Sequence, residues 1–157
     1  MEITIDKWRV HYISEPNKCA EAFSFLEKVF EKCDKLVTLE DAKFTKKIWN
    51  MSKESVHWDS ARRKAARYFF RYFLYNSNKF SILKKTSIIP ISDELRRKVP
   101  EDDVYLVDTA INTKDRLILT TDSRLKEKLS ITTEVKVILL DDFLSEYESR
   151  LSINSKT

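Results

Sequence analysis

The sequence predicts an α/β domain in which a parallel sheet carries helices on both faces, a three-layer α/β/α sandwich. Two patterns and a size argument support this. Short β-rich runs alternate with segments of helical period along nearly the whole chain, as they do when parallel strands are joined by crossover helices. Between Pro16 and Cys33, apolar residues recur at three- and four-residue steps, giving the single stripe that a helix needs to pack on a sheet. The chain has 157 residues, enough for one real core, and shows no repeat, linker or low-complexity segment. The expected organisation is one domain over 1–150 and a frayed tail over 151–157.

The first strand is expected near Ile3 to Ile5, with Asp6 at or just past its end. Pro16 and Asn17 open a helix whose stripe is Cys19, Ala22, Phe23, Leu26, Val29, Phe30 and Cys33. Leu36 to Thr38 is a short second strand, and Glu40 to Trp49 a second helix. Asp59 or Ser60 caps the next helix, which runs to about Tyr75. That segment places Tyr68, Phe69, Phe70, Tyr72 and Phe73 among Arg62, Arg63, Lys64, Arg67 and Arg71. Five rings in six positions surround the helix, so one face cannot bury them all. Phe69 and Phe73 suit a core or a contact with a second copy of the chain, giving a homo-oligomer. An exposed tyrosine with arginines suits stacked bases and phosphates.

Thr86 to Ile91 reads as a third strand, placed near an end or edge by Pro90. Asp93 to Lys98 is a short basic helix ahead of Pro100. A helix opening at Asp103, a strand over Leu117 to Thr120, a helix from Asp122 to Leu129, a strand over Val135 to Leu139 and a last helix from about Asp141 to Arg150 complete the order.

Composition removes several functions. Glycine is absent, where ordinary usage of about 7% would give roughly eleven. A dinucleotide fingerprint and a phosphate-cradling Walker loop both require glycines, so neither exists here. His11 and His57 stand in no ligand or nucleophile pattern and read as structural or surface residues. Cys19 and Cys33 have no metal spacing and read as small hydrophobes in a reducing compartment. No apolar run reaches membrane-spanning length and no signal-peptide layout is present, so a cytoplasmic protein without membrane partners is expected.

Charge is unevenly placed. Residues 43–98 hold fifteen Lys and Arg against four Asp and Glu, whereas the remainder holds fourteen against twenty-one. A basic middle between acidic ends suits a metal-dependent nuclease, with carboxylates for cations and a cationic surface for phosphates.

The segment from Glu101 to Asp122 carries the chemistry. It sets Asp102 and Asp103 at a helix start and Asp122 directly after a strand. In a parallel sheet both positions meet the strands' C-terminal edge, where such sheets build their sites. Carboxylates converging there attract a hard dication, because Mg²⁺ and Mn²⁺ prefer oxygen ligands. Asp108, farther along the same helix, is expected to face solvent or to support the site from behind.

These residues resemble the PIN-domain ribonucleases. Asp103 through Ala110 match the family's D-x-x-x-apolar-x-x-A helix, and Thr120 through Leu125 match its strand-end T-x-D-x-x-L. Val135 to Tyr147 resemble the closing strand and aromatic-bearing helix, and ITIDKW (Ile3 to Trp8) resembles the opening strand that ends in Asp. The resemblance implies Asp6, Asp103 and Asp122 as catalytic, metal-binding acids, with a further acid in the helix after strand two, for which Glu40 and Asp41 are the nearest choices. It also implies one or two Mg²⁺ or Mn²⁺ ions, RNA as substrate, and hydrolysis of phosphodiester bonds by a metal-activated water. Thr120 would orient Asp122 or the water, and Arg62, Arg63, Arg67 and Arg71 would hold RNA without reading sequence. Lys7 and Trp8 stand where the family has a small or polar residue and then Asn. The alternative is therefore a catalytically degenerate module that binds RNA or a protein partner.

Overall fold

The computed structural model describes residues 1–6 and 8–146. It is an α/β fold built on one five-stranded, all-parallel sheet. The strands are β1 (Glu2–Ile5), β2 (Lys35–Leu39), β3 (Phe80–Leu83), β4 (Leu117–Thr120) and β5 (Lys136–Leu139), in spatial order β3-β2-β1-β4-β5. The chain starts in the centre, builds outward through β2 and β3, then returns to the other side of β1 for β4 and β5. β1 therefore pairs with both β2 and β4, with Ile3 opposite Leu36 on one side and Leu117 on the other. The direction of winding reverses between β1 and β4. In open α/β sheets, the crevice beyond such a reversal is the usual ligand site.

Side-chain alternation along the strands separates two cores. Ile3, Ile5, Leu36, Leu117 and Leu119 enter one, packed under α1 (Trp8–Ser14), α2 (Cys19–Glu31), α3 (Ala42–Glu54), α4 (Ser60–Phe69) and the helical stretch over 140–146. Ile118 enters the other, under α5 (Asp93–Lys98), α6 (Val104–Ile111) and α7 (Ser123–Leu129). These are the three expected layers. Each fully buried Leu, Ile or Phe contributes roughly 1.5–3 kcal/mol relative to its exposed state.

In α2 the buried positions are Cys19, Ala22, Phe25, Leu26 and Val29, close to the expected stripe. Phe23 and Phe30 are half-buried instead, and Cys33 lies exposed beyond the helix end. There the Lys79 ammonium donates to the carbonyls of Val29, Phe30, Lys32 and Asp34, tying the end of α2 to the turn before β2.

The five rings of the central helix fit because the helix changes pitch. α4 ends at Phe69 and Phe70–Leu74 form a wider turn, closed by the Tyr75 amide bonding to the Phe70 carbonyl at 3.2 Å. Phe69 and Phe73 are fully buried and stacked, 6.5 Å between centroids. Tyr68 and Tyr72 pack edge-on against Phe23 and Phe30 at 5.0 and 5.1 Å. Among the rings around this turn Tyr75 is the one that stands in solvent, at 80% exposure.

Two expectations are corrected. The third strand is Phe80–Leu83, not Thr86 to Ile91. The later segment makes a 3₁₀ turn over Lys85–Ser87, and its backbone then bonds to side chains of the α6 region instead of to a strand. Asn112 accepts from the Ile89 amide and donates to the Ile89 carbonyl, while Asp108 accepts from the Ile91 amide at 2.8 Å. Asp108 is accordingly buried rather than solvent-facing, and it serves this backbone tie, with Arg96 at 3.9 Å. The stretch after Asp6, to which the sequence assigned no element, folds as α1 (Trp8–Ser14). The Lys7 departure, the last helix beyond 146 and the tail over 151–157 lie outside the described residues.

Candidate active site

Asp6 follows Ile5 at the C-terminal end of β1. Since Ile5 faces the α2 layer, alternation turns Asp6 toward α6. Tyr105, on the first turn of α6, donates its hydroxyl to Asp6 Oδ1. Burial, then this bond, then the charges of Asp6, Asp103 and Asp41 push the tyrosine's pKa far up, so it remains a protonated donor.

Asp103 stands at the entry of α6, at the end of a 3₁₀ turn over Glu101–Asp103, and its side chain makes no capping bond. Its pKa is raised, first by burial and then by the charges of Asp122, Asp6 and Asp102, with Lys128 opposing. The charges of the other two sequence-expected acids, Asp122 and Asp6, thus both reach Asp103 at the switch point between β1 and β4. Asp122 also caps α7, its Oδ1 accepting from the amides of Arg124 at 2.8 Å and Leu125 at 3.3 Å. Thr120 is buried, and its hydroxyl accepts the Asp122 amide at 3.1 Å, fixing the turn that presents the carboxylate.

Both candidates for the further acid follow β2. Glu40 is exposed, with its amide bonded to the Leu83 carbonyl at 2.7 Å. Asp41 is half-buried, accepts the Phe44 amide at 3.1 Å, and is the one whose charge acts on Tyr105. Tyr105 itself escaped sequence reasoning. Its only signal was a lone phenol in the first turn after Asp103.

Among the described residues, no three His, Cys, Asp or Glu side chains close into a ready-made metal cage. The donor chemistry nevertheless fits a hard dication. Its groups are carboxylates and a hydroxyl, and the negative charges of Asp122, Asp6 and Asp102 all act at Asp103. The starts of α3 and α6 point their positive ends at the same edge, which makes clustered carboxylates easier to bear.

Asp103 gives a stability prediction with a definite sign. A carboxyl whose pKa is raised in the native state holds its proton longer there than in the unfolded chain. From the ordinary value near 3.9 up to the raised one, native stability therefore falls as pH rises. Asp103→Asn removes that loss and should stabilise the protein at pH 7 by on the order of 0.5–1 kcal/mol, the scale of partly exposed charges. Melting curves between pH 3.5 and 7 should show the variant's advantage growing with pH. A constant difference would mean that the charge is not under strain.

The arginines of the central helix divide. Arg62 is engaged within the fold, bonded to Asp59 at 2.5 Å and to the Ser14 carbonyl at 3.3 Å, with its guanidinium 5.4 Å from the Trp58 ring centre. Arg63 is half-buried, while Arg67 and Arg71 are exposed. His11 and His57 are exposed as well. No described helix is long and apolar enough to cross a membrane. No protein-family model matches this sequence, and no curated protein matches it significantly.

Proposed function

We propose that this chain is a metal-dependent endoribonuclease, similar to the PIN-domain ribonucleases, that hydrolyses RNA phosphodiester bonds. The observation that supports the reading is the placement of Asp6 and Asp122 just past β1 and β4 with Asp103 at the entry of α6, where both other charges act on Asp103 at the switch point of a parallel sheet. Asp6, Asp103 and Asp122, with Asp41 or Glu40, would hold Mg²⁺ or Mn²⁺. A divalent ion bound there supplies an activated water and neutralises charge on the leaving oxygen.

The chain's own groups do the positioning. Tyr105 holds Asp6 in one orientation through its hydroxyl. Thr120 and the α7 cap fix Asp122, so both acids are set before substrate arrives. Arg63, Arg67 and Arg71 would draw in the phosphate backbone through long-range charge, and Arg62 would add to that field from its tethered position. The free thiols of Cys19 and Cys33 suit a reducing, cytoplasmic setting.

One observation favours a second reading, a degenerate module that binds RNA or a protein without cutting. The Tyr105 hydroxyl occupies an Asp6 oxygen that a metal would otherwise use. Cleavage assays separate the two. An enzyme cuts single-stranded RNA with Mg²⁺ or Mn²⁺ and stops in EDTA. RNA binding that survives EDTA, with no cleavage at any divalent concentration, would overturn the nuclease reading.

A further inference from the structure

An open cleft of about 770 Å³ lies beside the candidate site, between α3 and the wide turn of the central helix. Ile48, Phe70 and Leu74 contribute apolar wall. Two large rings also line it while remaining mostly in solvent, Trp49 at 62% exposure and Tyr75 at 80%. Lys46 and Lys85 lie along the same cleft, and the Lys53 ammonium stands 5.0 Å from the centre of the Trp49 ring. Glu40 and Asp41 belong to its lining too, and Asp41 is the acid whose charge acts on Tyr105 beside Asp6. The cleft therefore connects exposed aromatic surface and ammonium groups with the carboxylate edge.

We infer that this cleft binds a single-stranded nucleic acid, with bases stacked on Trp49 and Tyr75 and the intervening phosphates held by Lys46 and Lys85. The inference rests on the proposed nuclease reading for what happens to the strand, and on the cleft's own chemistry for its binding. Exposed rings offer π-faces to any unpaired base, whereas the bases of a duplex are already stacked. The lysines match the charge of a phosphate backbone, and they lie in the basic section of the chain. An apolar partner would not call for that charge. Glu40 and Asp41 in the lining repel phosphate unless a cation is present, so the strand is held by the rings and lysines.

The test is fluorescence anisotropy with labelled eight-nucleotide RNA and DNA strands and a matching duplex, all in EDTA so that no cleavage intervenes. Trp49→Ala and Tyr75→Ala should each weaken single-strand binding roughly tenfold or more. Trp49→Phe should retain most of the affinity, and duplex binding should not respond to either ring. The RNA and DNA arms identify which strand is preferred, and ring-dependent binding of either supports the inference. Both rings are exposed, so unchanged melting temperatures will exclude a folding defect. Single-strand affinity that ignores both ring substitutions overturns the inference, as does finding that they instead dissolve a dimer of this chain. Ring-dependent binding without cleavage at any divalent concentration would leave the cleft standing and remove the nuclease. Metal-dependent cleavage indifferent to both rings would do the reverse.

Discussion

Asp122→Asn is expected to reduce metal-dependent RNA cleavage on the order of 10³-fold, the rate equivalent of about 4 kcal/mol of lost charge stabilisation. The effect should fall on catalysis and not on folding. Asn is as good an N-cap as Asp, so its side-chain oxygen can still accept from Arg124 and Leu125. What it lacks is the negative charge that Asp103 registers across the switch point. The measurement is single-turnover cleavage in Mg²⁺ or Mn²⁺, alongside a melting curve. Equal cleavage by the two proteins would remove Asp122 from the site.

Phe73→Ala should be the most damaging substitution for stability. The ring is fully buried, stacked on Phe69 and close to Phe30 and Tyr68. Truncation leaves a cavity at the meeting of α2, the wide turn and the sheet, at about 3–5 kcal/mol. For a chain of this length that corresponds to roughly 6–20 °C in Tm. Tyr75→Ala, two residues on but in solvent, should stay within about 0.5 kcal/mol of wild type. If the two variants melted alike, the wide turn would not be directing these rings as described.

Much of this was legible because it depends on periodicity. The stripe of α2 follows from a repeat of 3.6 residues, and the strands at Ile3, Leu36 and Leu117 from short β-rich runs between helical segments, which set the acids at strand ends and helix starts. Four of the five strands were placed from such runs. The misplaced one shows the limit. TSIIPI is richer in β-formers than FSIL, yet Asp108 and Asn112, some twenty residues away, take up its backbone groups and leave the edge of the sheet to Phe80–Leu83. No local pattern announces that tertiary preference.

The rings were hard to assign for a related reason. Five aromatics cannot share one face of a regular α-helix, and only the change of pitch after Phe69 divides them among core, edge cluster and cleft. Within the site, Asp6, Asp103 and Asp122 could be named from topology alone. Tyr105 could not, because its bond to Asp6 joins residues 99 apart in sequence. Likewise Glu40 and Asp41 are neighbours in sequence, and only their different burial after β2 sets them apart.

The most direct test of the central claim, that these carboxylates form one cation site, is calorimetric titration of Mn²⁺ into the full chain. The wild-type affinity should rise with pH across the range in which Asp103 loses its proton, because a cation binds the ionised carboxylate. Asp103→Asn and Asp122→Asn should each lower the affinity at least tenfold. No heat of binding to the wild type, or an affinity that neither substitution changes, would contradict the account.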